Sequence, residues 1–113
     1  MNEIVVIDYG VGNLLSVKRG LEYCGVKAII TSKPEDIINA TKIILPGVGA
    51  FKNAMQSLES LGLVKVIQEV ANRKIDLLGI CLGMQLLLDE SNEFGLTKGL
   101  GLIPGRVVAI PIK

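Results

Sequence analysis

The chain has 113 residues, with 12 basic and 11 acidic side chains and a formal net charge of +1, enough for one domain around one core. Half of the residues are apolar and a fifth are charged, which excludes a disordered chain, and no basic run or aromatic-basic interleaving suggests nucleic acid. The opening "MNEIVVIDYG" lacks the basic region of a signal peptide and no apolar stretch could span a bilayer, so a cytoplasmic protein with no membrane contact is expected.

In chain order, "EIVVIDY" (3–9), "VKAIIT" (26–31), "KIILPG" (42–47) and "IDLLGI" (75–80) read as short strands. Their apolar runs are continuous, as in a parallel sheet covered on both faces. Between them lie helical patterns. Asn13 is placed to cap a helix bearing Leu14, Val17, Leu21 and Cys24 on one face, with Gly25 as its stop. Pro34 opens a short helix at "PEDIINA". Phe51, Ala54, Met55 and Leu58 mark one face of the next helix, and Leu63, Val66, Ile67 and Val70 mark another. "ESNEFGLTKGLG" (90–101) reads as a long loop and "RVVAIPIK" (106–113) as a further strand. The order predicts an α/β protein, a doubly wound, mainly parallel sheet with right-handed crossovers.

Two cysteines far apart in unlike settings, Cys24 and Cys81, make neither a disulfide framework nor a metal pair. The 113 residues contain no histidine, so they supply no His-based metal site and no Cys-His pair. Neither a metal nor a cofactor is expected. Cys24, on the apolar side of a helix, reads as core. Cys81 differs: Gly79 and Gly83 flank it as G-x-C-x-G, the cysteine counterpart of a nucleophile elbow at the carboxyl end of a strand. A sharp strand-to-helix turn requires small neighbours, and a helix start favours a thiolate. Leu82 is then a candidate N–H donor to an oxyanion. A plain buried cysteine is the alternative reading. The glycines of "LPGVGAF" (45–51), Gly47 and Gly49 around Val48, let backbone approach a ligand at the same sheet edge. "DYGVGN" lacks the third glycine of a nucleotide-binding fingerprint, with Leu15 in its place.

Taken together, "GICLGMQLL" and "LPGVGAF" resemble the triad (class I) glutamine amidotransferases, with a three-layer α/β/α, flavodoxin-like fold. "IDYGVGNLLSV", "ESNEFG" and "KGLGLIPGRVV" are most similar to the glutaminase subunits of imidazole glycerol phosphate synthases, in histidine biosynthesis. The resemblance covers the whole chain, residues 1–113, as the N-terminal part of one amidotransferase domain truncated on its C-terminal side. It implies that Cys81 attacks the side-chain amide of glutamine to give a glutamyl thioester. Leu82 and Val48 would supply oxyanion N–H groups, and Gly47 would let the peptide before Val48 turn. Gly49, Gln85 and Glu93 match substrate-binding positions. Asn13 matches a position facing a synthase (cyclase) subunit in a heterodimer.

The family's histidine, oriented by a glutamate, lies in a C-terminal segment with no counterpart in these residues. The chain alone is therefore expected to be inactive. An amidotransferase serving another acceptor, such as a sugar-modifying synthase, and a non-catalytic interaction module stand beside this reading.

Overall fold

The computed structural model describes residues 3–111. Its first part alternates as β1 (Glu3–Ile7), α1 (Leu14–Tyr23), β2 (Lys27–Thr31), α2 (Pro34–Ile38), β3 (Lys42–Leu45), α3 (Phe51–Ser60), α4 (Leu63–Asn72) and β4 (Asp76–Gly79). These strands form one parallel sheet in the order β2-β1-β3-β4, with Val5 beside both Ile29 and Ile43, and Ile44 beside Leu78. The order reverses between β1 and β3. In doubly wound sheets, the carboxyl ends of the strands at such a reversal form the binding crevice.

Alternation along the strands sends Val5, Ile7, Ile43 and Leu45 to one face. There they pack with Ile37 of α2, Phe51, Ala54, Met55 and Leu58 of α3, and Leu63, Ile67 and Val70 of α4. Each large side chain so buried contributes about 1.5–3 kcal/mol. The 3.6-residue spacing thus selected the buried positions of α3 and α4, with Val66 half-buried at the margin. α1 begins as the sequence suggests, the Asn13 side chain accepting from the Ser16 N–H at 3.2 Å. It ends in Gly25 at φ +79, a left-handed conformation that glycine adopts without a Cβ penalty.

The opposite face is covered less fully than the apolar strands suggest. Leu21 of α1 lines a cleft there with Ile4, Ile44 and Leu78, yet α1 buries no residue completely and Leu78 is 57% exposed. Cys24 is accordingly not core. It is the C-cap residue of α1, past the last turn that leans on the sheet, and it is exposed.

After β4 come α5 (Leu82–Leu86), β5 (Leu88–Ser91), β6 (Thr97–Lys98) and β7 (Ile103–Val107). Residues 90–101 are therefore not a single loop. β5 and β6 form an antiparallel pair around a turn at Gly95, and β7 lies parallel to β5 on its other side. The last strand is also earlier than its apolar residues indicate. Pairing with β5 decides it: Leu102 and Ile103 both donate their N–H to Leu87 O, at 2.8 and 2.9 Å. A register shift near Asp89 accommodates Pro104 and Gly105. Residues 108–111 are not strand, and the final two residues of the expected strand lie outside the described part. This small sheet is tied to the core by the buried Leu100 and by the Gln68 side-chain amide donating to Leu100 O at 2.9 Å.

Candidate active site

Three loops meet at the carboxyl ends of β1, β3 and β4. The last of them is short. Ile80 donates its N–H to Leu45 O at 3.0 Å, continuing the β3–β4 pairing by one residue, and the chain then reverses at Cys81. Cys81 has φ 57 and ψ −122, outside the left-handed helical well, a conformation that costs a residue with a Cβ about 1–3 kcal/mol. α5 starts at once, Met84 donating to Cys81 O at 3.0 Å. The Cys81 side chain is exposed.

The flanking glycines are required by space. A Cβ on Gly79 would lie 2.7 Å from Met84 Cα, and one on Gly83 would overlap the carbonyl oxygen of Leu45, 2.8 Å from its carbon. Backbone of α5 therefore passes directly over the ends of β3 and β4. Only residues without side chains permit that approach.

The middle loop runs from Pro46 to Ala50. Pro46 and Gly47 are buried, whereas Val48 and Gly49 are exposed. A Cβ on Gly47 would meet Tyr9 Oη at 2.7 Å and Gly83 N at 2.9 Å, so this glycine is steric. Gly49, at φ +99 with open space around it, is conformational. The Gly47 carbonyl accepts from the Leu82 N–H at 3.1 Å. In a trans peptide the next N–H points the opposite way, so Val48 N–H is directed away from Leu82. Of the two expected oxyanion donors, one is thus already engaged and the other is turned outward. Gly83 N–H is also occupied, by Ile80 O at 2.9 Å. With only five residues in α5, the helix adds a short dipole to the setting of Cys81.

Glu93 reaches this region from the turn after β5. Its carboxylate accepts from Phe51 N–H at 3.3 Å, while its own N–H donates to the buried Ser91 hydroxyl at 3.1 Å. Ala50, the N-cap of α3, has no side-chain acceptor, so Glu93 serves that helix end from a distant part of the chain. Gln85 is half-buried one turn beyond Cys81. Asn13 is exposed at the head of α1. Its loop touches the middle one, because a Cβ on Gly12 would stand 3.3 Å from Gly47 N.

The structure therefore brings Cys81, Gly79, Gly83, Leu82, Gly47 and Val48 into one cluster, with Gly49 and Glu93 at its border. Asn13 stands apart from it, joined through its loop. The sequence reading missed Tyr9, which follows β1 and is buried with its hydroxyl donating to Pro46 O. Its partner is 37 positions away, and no local pattern announces such a bond. A groove of about 610 Å³ between α3 and β6, lined by Lys52, Met55, Glu59, Leu96 and Lys98, contains none of these site residues.

Both cysteines are exposed, so accessibility alone predicts similar alkylation. Cys81 sits on the strained turn at the carboxyl ends of the strands, where the sheet forms its crevice, whereas Cys24 caps the far end of α1. Iodoacetamide should label Cys81 several-fold faster, as read by timed quenching and peptide mass mapping. Equal rates would remove the case for a primed Cys81.

A strained cysteine on a strand-to-helix turn, between glycines that admit crossing backbone, has the geometry of a nucleophile elbow. Residues 5–101 match the family described as glutamine amidotransferase class-I, and the chain belongs to that family. A solved structure described as a glutamine amidotransferase superposes with a TM-score of 0.78 at 21% identity, over 92% of this chain and 55% of the other; it shows the shared fold. Among sequence relatives, the imidazole glycerol phosphate synthase subunit HisH of Geobacillus sp. (strain WCH70) is 56% identical over 108 residues, 96% of this chain and 51% of that protein. The HisH subunit of Lacticaseibacillus casei (strain BL23) is 57% identical over 108 residues, 96% of this chain and 52% of its own length. The chain spans about half the length of these curated relatives.

Proposed function

We propose that this chain carries the nucleophile and oxyanion loop of a glutaminase that feeds ammonia to an imidazole glycerol phosphate synthase. It would act in the cytoplasm as part of a heterodimer with the synthase (cyclase) subunit. The observation that carries the reading is the backbone of Cys81, strained at φ 57 and ψ −122 on a turn that Gly79 and Gly83 make possible.

In this proposal the Cys81 thiolate adds to the side-chain amide carbon of glutamine. The carbon–nitrogen bond breaks, a proton joins the leaving nitrogen, and ammonia departs from a glutamyl thioester. Water then hydrolyses the thioester to glutamate and restores the thiol. Gly47 allows the Gly47–Val48 peptide to turn. That one rotation withdraws the carbonyl from Leu82 N–H and swings Val48 N–H inward, giving two donors for the tetrahedral oxyanion. One such donor changes turnover by about 10²–10³-fold.

Gln85 and Glu93 grip the amino-acid end of glutamine, and Gly49 keeps the loop open to it. Asn13, its side-chain oxygen committed to capping α1, turns its amide NH₂ to the synthase subunit. The proton-transfer group is not a histidine of these 113 residues, since they contain none.

A diazoketone analogue of glutamine tests the assignment, because it alkylates a thiol only after seating as the substrate does. It should label Cys81 and leave Cys24 unmodified, and excess L-glutamine should suppress the reaction. Labelling of both cysteines, or labelling indifferent to glutamine, would defeat the proposal.

A further inference from the structure

The geometry points to Tyr9 as a positioning residue for the 46–50 loop, its hydroxyl holding the Pro46 carbonyl so that rotation is confined to the Gly47–Val48 peptide. Tyr9 lies two residues past the end of β1 and is 2% exposed. Its hydroxyl donates to Pro46 O, one peptide before the carbonyl that occupies Leu82 N–H at 3.1 Å. The same oxygen is the atom that a Cβ on Gly47 would strike at 2.7 Å. One phenol thus fixes the peptide before Gly47 and also forbids a side chain on it.

Burial holds the phenol protonated, raising its pKa above the usual tyrosine value, so donation to Pro46 persists through the ordinary pH range. Pro46 is buried, and no other hydrogen bond to its carbonyl is seen among the described residues. Losing the hydroxyl would leave that carbonyl unsatisfied and free to reorient. From the other side, Gly12 crowds the Pro46–Gly47 peptide, a Cβ there falling 3.3 Å from both Gly47 N and Pro46 Cβ. The peptide before Gly47 is clamped. The one after it, with Val48 and Gly49 exposed, is held by the Leu82 N–H bond to Gly47 O alone among the described residues.

The inference rests on reading residues 46–50 as the oxyanion loop, but its test does not use substrate. In the 113-residue chain, Tyr9→Phe keeps the ring and removes the hydroxyl. Amide hydrogen exchange followed by NMR should then show Leu82 N–H exchanging about fivefold faster or more, the equivalent of one lost hydrogen bond. Gly47 and Val48 amide shifts should move, while Val6 and Ile44 in the sheet keep their rates. Uniform acceleration of all amides would make Tyr9 an ordinary core residue, and no change at Leu82 would show that the phenol does not hold the loop; either overturns the proposal.

In the unsubstituted chain, a slowly exchanging Tyr9 hydroxyl proton should show a nuclear Overhauser contact to Gly47 Hα, and its absence counts equally against the bond should the variant not fold. Diazoketone labelling of Cys81 reports separately on the substrate reading. A glutamine-indifferent Cys81 with an intact Tyr9 effect on Leu82 would sink that reading and leave the clamp standing.

Discussion

Gly83→Ala should destabilise the chain by at least about 3 kcal/mol, near the upper end of overpacking costs, and a large part of what a domain of this size has to lose. The added methyl would overlap the Leu45 carbonyl oxygen, and that oxygen is not free to retreat, because it accepts from Ile80 N–H at 3.0 Å. Relief would require α5 to lift away from β3, which breaks the Leu82–Gly47 bond and releases the strain at Cys81. Gly20→Ala is the internal contrast. Gly20 lies inside α1 with nothing near its missing side chain, so alanine there should add roughly 0.5–1 kcal/mol through helix propensity. Urea unfolding of the two variants would shift the midpoint in opposite directions. A Gly83→Ala protein as stable as the parent would show that α5 does not press on the end of β3.

That contrast also marks where the sequence was legible. The elbow-like turn could be read because its glycines are local to Cys81, and steric demand from a tight turn falls on positions two before and two after it. Phe51, Ala54, Met55 and Leu58 could be read because helical periodicity selects a face, and that face is buried as a block. The fourfold parallel sheet followed from apolar runs separated by helices.

What was hidden depends on distant partners. Cys24 shares the apolar periodicity of α1, but burial at its end requires a surface beyond the sheet edge, and none covers it. β7 begins before its most apolar residues because β5 dictates the register. Gly99 looked like a loop residue, yet its missing side chain makes room for the carbonyl of Leu88 and the ring of Phe51. In the candidate site, the state of the 46–50 loop was invisible for the same reason. The residues at Leu82 and Gly47 are legible, but whether a carbonyl or an N–H faces the elbow is a choice between two rotations of one peptide.

The 113-residue chain by itself should release no Cys81-dependent glutamate from glutamine, with turnover at least about 10³-fold below that of a version extended through the family's catalytic histidine and glutamate and bound to the proposed synthase subunit. Two deficits combine. No histidine is present to take the thiol proton and return it to ammonia, and general acid–base transfer is commonly worth about 10²–10⁴-fold. The Leu82 N–H is also committed to Gly47 O at 3.1 Å, so the oxyanion has no ready donor until the loop turns. The two deficits should separate experimentally. Joining the extension alone supplies the base, and if loop rotation is governed by the partner surface near Asn13, activity should rise only partly until the synthase subunit is added. The measurement is glutamate release by coupled oxidation, with Cys81→Ala as the blank at every stage. Brisk turnover by the isolated chain that vanishes in Cys81→Ala would mean that another side chain among these residues serves as base, and that the loop opens without help. Full activity on extension, with no further gain from the synthase, would retain the base argument and discard a partner-governed loop.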